Sequence, residues 1–515
     1  MSAPGTTNPV DGSALPAVDA TSPDAVAGLV DAARQAQPAW GALSVAARSK
    51  AVLAFARAAV ERHAEIIPIL ASETGRSALE CGLNEANGIL EYARGAVGVA
   101  KKTLKPERVP FNPVAFPGKR AVIEPLPRGV VGIVAPWNYP LANFYKSLFP
   151  ALLSGNAVVL KPSEHTPRSG AWLAGVAAET LPDGLVQLAQ GAGDVGAAVV
   201  DAVDAVVFTG SVATGRKIAA RAGERLIPCS VELGGKDAAI VLADCDLPRT
   251  VAGIAQWGMH NAGQNCAGIE RVYVEDAIAD TFVPALARAV GRLRVEDGSG
   301  ESELGPLQNA PQLAIVEAHV ADARAKGATV LCGGERVGQG LGYAATVIDG
   351  CAKGMAVVDQ ETFGPVLAVV RVPDADAAVA AANDSKYGLN GSVWTTNLAL
   401  GETLARQLDV GIANVNNHSF AGIVPQIPWT GVKDTGHGVA ASRHSYSTFV
   451  RPRTVLVDKN TAPDPFWFPA NADLETLATA VRDLSMGALG AVFRLLPVLG
   501  KRTKAIRALS QEEPT

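Results

Sequence analysis

The chain of 515 residues lacks several signatures that would decide its class at once. Its six cysteines, Cys81, Cys229, Cys245, Cys266, Cys332 and Cys351, include no closely spaced pair. Neither a zinc cage nor a disulfide scaffold is therefore expected, and the thiols should be reduced with no metal bound. Basic residues are not in excess, and a net charge of -5 removes the electrostatic basis for nucleic acid as a partner. The loop after "AVVFT" offers only Gly210 and Gly215, not the GxGxxG fingerprint of dinucleotide-binding folds. No apolar run is long enough to span a bilayer, and the first twenty residues have neither a basic start nor an apolar stretch. No secretory signal is expected, and the cytoplasm is the expected location. Aromatic residues make up only 5%.

What the chain does have is apolar bulk, 48% of its residues against 18% charged, which suits an ordinary globular protein of about two to four domains. Apolar positions three and four apart predict helices from Ser22 to Gly95, with Asp24 as an opener. Two short β-rich runs around Pro117 and Gly118 predict a hairpin or arm. Val-rich strands then alternate with helices: "GVVGIVAP", "NAVVLKPSE", "VQLAQG", "AVVFTGS" and "IPCSVELGG". A second alternating region has strands near "AAIVLA", "RVYVED", "ATVLCGG" and "VLAVVRV". The predicted class is α/β, with two doubly wound parallel sheets covered on both faces. After residue 460 the sequence turns apolar and then basic, at Lys501, Arg502, Lys504 and Arg507. Two readings fit this end: a helix packed on this chain or a neighbouring subunit, and an interfacial anchor on anionic lipid.

Chemistry concentrates at strand ends. In "HNAGQNCAGIERVYV", Cys266 lies among glycines and amides rather than apolar neighbours, which suits a thiol at the end of a loop; an ordinary small buried residue is the alternative. Glu232 in "VELGGK" ends a predicted strand, where ligands of parallel sheets bind, unless it is a solvated partner of Lys236. Asn138 in "PWNYP" could offer a fixed N–H to a developing oxyanion, or simply form a turn. Lys161 and Glu164 in "LKPSEHTP" could hold ribose hydroxyls. Gly210 and Ser211 in "FTGSVATGRKI" open a helix whose free N–H groups favour phosphate, with Gly215 further on. His260, His418, His437 and His444 are the possible partners of Cys266 if the protein were a cysteine hydrolase.

Taken together the segments resemble the aldehyde dehydrogenase superfamily, from about residue 20 to residue 457. "PWNYP", "KPSE", "FTGS", "VELGGK", "GQNCAG", "LGPL", "QETFGPV" and "VKDTGHG" occur in the family's order, and Glu232 and Cys266 keep its spacing. The resemblance implies an NAD-dependent oxidation of an aldehyde to a carboxylate, with NADP as the alternative cofactor. It implies Cys266 as nucleophile, Glu232 as the base that activates water, and Asn138 with the Cys266 backbone N–H as the oxyanion site. Cofactor contacts would come from Pro136, Trp137, Lys161, Ser163, Glu164, Thr209, Gly210, Ser211, Gly215, Leu233, Glu361 and Phe363. It implies a dinucleotide-binding domain (1–105 and 127–234), a catalytic domain (235–442), and a β-arm (106–126 and 443–460) that joins subunits into a homodimer or homotetramer. Residues 461–515 form an amphipathic extension with a possible peripheral membrane contact through 462–515. The expected substrate is a medium or long aliphatic aldehyde. A CoA-acylating relative and a non-catalytic scaffold of the same fold are the alternatives. Three features depart from the family: "PWTG" at Pro428 to Gly431 stands where members often read "PFGG", "NNHSFAGIVPQI" has no assigned role, and Lys146 stands one residue out of step with an active-site lysine.

Overall fold

Strands that are buried at every residue, such as Val130–Val134 and Ala157–Lys161, need apolar cover on both faces, and a parallel sheet between helices provides it. The computed structural model describes residues 6–112, 116–296, 302–338 and 340–509. Five strands form one all-parallel sheet in the spatial order Val186–Leu188, Ala157–Lys161, Val130–Val134, Ala205–Gly210, Cys229–Leu233. The first strand in sequence, Val130–Val134, is central, and the chain winds outward from it in both directions. The order therefore reverses between Val130–Val134 and Ala205–Gly210, the place where parallel sheets open a crevice at the carboxyl ends of their strands.

A second sheet of seven strands runs Thr329–Cys332, Thr346–Asp349, Val366–Val372, Ile269–Glu275, Asp237–Val241, Asn390–Trp394, Ile412–Val415. Its pairings are parallel except at one edge, where Thr329–Cys332 pairs antiparallel with Thr346–Asp349. The strand predicted at "ATVLCGG" is thus an antiparallel edge rather than part of a wholly parallel sheet. Its alternating exposure, unlike the buried central strands, is what one expects of an edge.

The helices predicted from Ser22 begin with a short 3-10 turn, Pro23–Ala25, leading into Val26–Ala42. Ser22 caps that turn, accepting a hydrogen bond from the Ala25 N–H, and Asp24 lies inside it rather than opening it. A hydroxyl one residue before the proline reaches the free amide more easily than a side chain already within the turn.

Contacts divide the chain into two units, Met1–Leu104 with Leu126–Arg451, and Lys105–Pro125 with Pro452–Thr515. The first contains the five-stranded and the seven-stranded sheets. The second contains the arm, in which Glu107–Val109 pairs antiparallel with Lys119–Pro127, and Val450–Asp458 completes a three-stranded sheet. The arm was expected to resume at residue 443. Instead Tyr446 and Phe449 are buried in the core of the five-stranded sheet, so the arm begins after them. The basic end of the chain is a hairpin of two helices, Ala472–Ser485 and Val492–Ala508. Among the described residues no helix is long and apolar enough to cross a membrane.

Candidate active site

The loop from His260 to Gly268 explains its own composition. Asn261, Ala262 and Gly263 all have positive φ, at 56°, 52° and 69°. A Cβ on Gly263 would lie 2.0 Å from the Gly364 carbonyl oxygen, so this turn requires glycine. The amide side chains hold the strained path in place. Asn261 Nδ2 donates to the carbonyls of Asn138 (2.9 Å) and Gln264 (3.0 Å), and Gln264 Oε1 accepts from the Gln308 N–H at 2.8 Å. Asn265 Oδ1 accepts from the Ala267 N–H at 3.2 Å. Gln264 and Asn265 are therefore scaffolding, and Cys266 is the residue they present, half-buried just before the strand Ile269–Glu275.

Cys266 lines a cavity of about 270 Å³ together with Asn138 and Glu232. Pro136, Trp137, Thr209, Gly210, Ser211, Leu233, Gly234, Glu361 and Phe363 also line it. The loops after Val130–Val134 and Ala205–Gly210 thus meet here, where the strand order reverses. Ser211 caps the helix Val212–Glu224, its hydroxyl accepting from the Thr214 N–H. Gln312 and Ile315, from the helix Ala310–Ala325, complete the wall. Neither carries a motif. Gln312 Nε2 reaches the carbonyls of Thr362 (2.8 Å) and Phe363 (3.1 Å), and only their folded proximity reveals it.

Four expected cofactor residues do not line this cavity. Lys161 ends the next strand, Ala157–Lys161, and Ser163 and Glu164 follow it, with Lys161 Nζ 3.5 Å from Glu164 Oε2. Glu164 instead borders a separate hollow of about 530 Å³ beside Thr6–Gly12 and Gln308. Gly215 is a packing glycine: a Cβ there would lie 2.3 Å from Leu233 Cδ2.

The electrostatics are those of two groups kept out of water. Burial pushes the Glu232 carboxyl up to about 8, with the Lys146 cation opposing. Its Oε1 is buried without a hydrogen-bond partner. Burial likewise pushes the Cys266 thiol up to about 12, again opposed first by Lys146. Lys146 is itself lowered by burial, while Cys266 and Glu232 raise it, and its Nζ stands 5.3 Å from the centre of the Trp429 ring. The lysine that is out of step in sequence therefore lies in the field of both groups. Its helix, Ala142–Leu153, is anchored at the start by Glu85, which accepts from the Leu141 (2.7 Å) and Ala142 (2.9 Å) N–H groups.

Asn138 is buried and donates one N–H to the Gln264 carbonyl at 3.1 Å, which leaves the second N–H of the same amide for a ligand. Phe363 stands edge-on to Trp137, with ring centres 5.5 Å apart, and has a positive φ of 49°. Its N–H donates to Glu270 Oε1 at 3.0 Å and the Thr362 N–H to Glu270 Oε2 at 2.8 Å, while Glu270 pairs with buried Lys236. Glu361 lies so close to Gly234 that a Cβ there would come within 2.2 Å of its Oε2. Burial pushes its carboxyl up to about 8 as well.

None of the four histidines considered as partners for Cys266 lines the cavity. His260 Nδ1 is 2.7 Å from the Tyr139 hydroxyl, and burial drives its pKa down to about 4. His418, bonded to Ser392 Oγ, is driven to about 3. The unassigned segment before Trp429 does find a place: Ala421 and Trp429, with Ala267, Leu389 and Ile412, form an apolar cluster against which Cys266 and Ile427 pack.

Comparison with known proteins identifies the family. The sequence profile of the aldehyde dehydrogenase family matches residues 4–455. A 4,4'-diapolycopene aldehyde oxidase of a Methylomonas species is 36% identical over 473 residues, covering 90% of this chain and 88% of its own length. A protein of Mycolicibacterium smegmatis, provisionally named a succinate-semialdehyde dehydrogenase of the NADP(+) type, is 36% identical over 84% of both chains. Among solved structures, the aldehyde dehydrogenase of Mycobacterium tuberculosis complexed with NAD+ superposes with a TM-score of 0.84 at 32% identity, covering 89% of this chain and 95% of that one. Lactaldehyde dehydrogenase from Escherichia coli gives 0.83 at 31% identity, over 88% and 95%. The chain belongs to the aldehyde dehydrogenase family.

Proposed function

We propose that the protein oxidises an aliphatic aldehyde to its carboxylate with NAD+, through a covalent intermediate on Cys266. The observation that carries this proposal is the meeting, in one cavity, of a lone thiol, a carboxyl with an unpartnered oxygen and an amide with a spare N–H.

The residues present fit a dinucleotide. The cavity lies where the strand order reverses, beside the capped helix start at Ser211, and Gly234, against which the Glu361 carboxyl packs, lines it. Thr209, Gly210 and Ser211 would face its phosphates, Glu361 and Phe363 its reactive end, and Lys161, Ser163 and Glu164 the remoter ribose. When bound, it supplies a hydride acceptor. The negative charge of Glu164 disfavours a 2′-phosphate, which supports NAD over NADP, although the Mycolicibacterium relative's name specifies NADP(+).

Cys266 would give its proton to solvent water and its Sγ would add to the aldehyde carbon, with Lys146 stabilising the developing thiolate. The second Asn138 N–H and the Cys266 backbone N–H would hold the oxyanion. Once the carbon has given up its hydride, a thioester to Cys266 remains. Glu232 would then take a proton from water, hydroxide would attack the thioester carbon, and the thiolate would leave. Apolar cover from Ala421, Ile427 and Trp429 around Cys266 supports an aliphatic acyl group. On this reading 1–105 with 127–234 bind the dinucleotide, and 235–442 carry the thiol.

The test is cofactor reduction across aldehydes differing in chain length, aromaticity and terminal charge. Turnover should be highest with aliphatic chains and should vanish in Cys266→Ala. Glu232→Gln should give a burst of reduced cofactor, slow steady turnover and an acyl adduct in the intact mass. Full steady-state turnover by either variant would refute the assignment. A tenfold preference for NADP, about 1.4 kcal/mol, would reverse the cofactor choice.

A further inference from the structure

The helical hairpin at the end of the chain exposes apolar surface that its own packing does not explain. Along Val492–Ala508, Val498 and Arg502 face inward, while Phe493 and Leu496 stand 80% and 65% exposed. Steps of three and four residues continue that outer stripe to Lys504, so it is apolar in its first half and cationic in its second. Leu489, in the turn before the helix, is 80% exposed. From Met486 to Leu509 the sequence has five cations and no acidic residue.

The loop before the hairpin shows the same character. Phe466, Trp467 and Phe468 are exposed by 52%, 59% and 78%. The loop is nevertheless held firmly. Arg502, fully buried, donates to the carbonyls of Pro465 (2.9 Å) and Pro469 (2.6 Å), to Asn471 Oδ1 (2.8 Å), and to the Trp467 carbonyl. Lys119 ties its entrance through Asp464 at 2.9 Å. A buried guanidinium thus fixes three aromatic rings in contact with solvent, which is unfavourable unless something covers them.

We propose that this hairpin and its aromatic loop dock on the surface of an anionic lipid bilayer. Tryptophan and phenylalanine suit the headgroup boundary, and leucine and phenylalanine side chains beside lysines match a helix lying in that plane. Lys501 and Lys504 form no ion pair among the described residues, so their charge is available to anionic headgroups. A second copy of the chain fits less well. In a two-fold contact the cationic half of one stripe would face either its own copy or the apolar half of the other, and the stripe offers these lysines no acidic partner in either case.

The test uses the full-length enzyme in a flotation assay with vesicles of phosphatidylglycerol and phosphatidylcholine. The protein should float with them and bind at least about tenfold less to phosphatidylcholine alone or at raised salt. The triple substitution Phe468→Ser, Leu489→Ser, Phe493→Ser should lower binding by a similar factor, with oligomeric mass and turnover of a water-soluble aldehyde unchanged. Lys501→Glu with Lys504→Glu, at exposed positions where folding is not at risk, should do the same. The proposal is overturned if the parent stays in the aqueous fraction, or if the lysine pair binds like the parent. It is equally overturned if the triple variant binds like the parent or changes oligomeric mass, which would make the stripe a subunit contact. Because turnover is read separately from flotation, its failure is distinguishable from failure of the proposed reaction.

Discussion

Glu232 and Cys266 share one difficulty, that each must become an anion where water is scarce, and Lys146 is the group that eases it for both. With the Glu232 pKa near 8, its basic form grows as pH rises through that value, so thioester hydrolysis should accelerate between about pH 7 and 9. Stability should respond in the opposite sense. Above the ordinary carboxyl pKa of 4.5 the unfolded chain is ionised while the folded site is still protonated, so this group makes stability fall as pH climbs towards 8. Glu232→Gln should remove that component, seen as a flatter dependence of the melting temperature on pH. Lys146→Met should move the midpoint of the pH–rate curve to higher pH and slow turnover at pH 7 by about tenfold, equivalent to one pKa unit. Lys146→Arg should largely restore the midpoint. An unmoved midpoint in the methionine variant would mean that the cation does not act on the base.

Elements matter here for what they carry to the cavity. The segment Glu361–Phe363 is not a regular strand or helix, and Phe363 sits at a positive φ, so something must hold it. The two oxygens of Glu270 do so from the strand Ile269–Glu275, with Lys236 as the buried counter-charge. Glu270→Gln would leave the Lys236 cation unpaired and should destabilise the fold by about 3–5 kcal/mol in urea titration. The KM for the dinucleotide should rise more than kcat falls, because the loop loosens while Cys266 and Glu232 stay in place. Motif reading singled out Cys266, Glu232 and Asn138 because each lies in, just after or just before a strand within a short, distinctive string. It could not find Gln312, Ile315 or Trp429, whose approach depends on how distant elements pack. Lys146 lies between these cases: the register of its helix, anchored by Glu85, decides where the cation points.

At the scale of the whole molecule, the arm presents the strand Val450–Asp458, exposed along nearly its whole length, with Leu456 59% exposed. An open strand of this kind is a pairing surface that a protein must cover or charge. We expect it to be covered by another subunit, giving a dimer or tetramer. Light scattering should return a multiple of the chain mass, and Leu456→Asp should shift it towards the single chain. A single-chain mass for the parent would exclude the arm as a subunit joint.

The sequence by itself determined the class of fold, the alternation that builds two α/β sheets, and the three residues around which the chemistry is proposed, since these depend on local patterns of burial, turn and strand end. Tertiary structure alone decided that Lys146 lies in the field of Glu232 and Cys266, that Thr329–Cys332 is an antiparallel edge, that Tyr446 belongs to the first core, and that Arg502 is buried beneath an exposed aromatic loop. Each of these depends on the distance between residues far apart in the chain, and such distances are set by packing rather than by any neighbour in sequence.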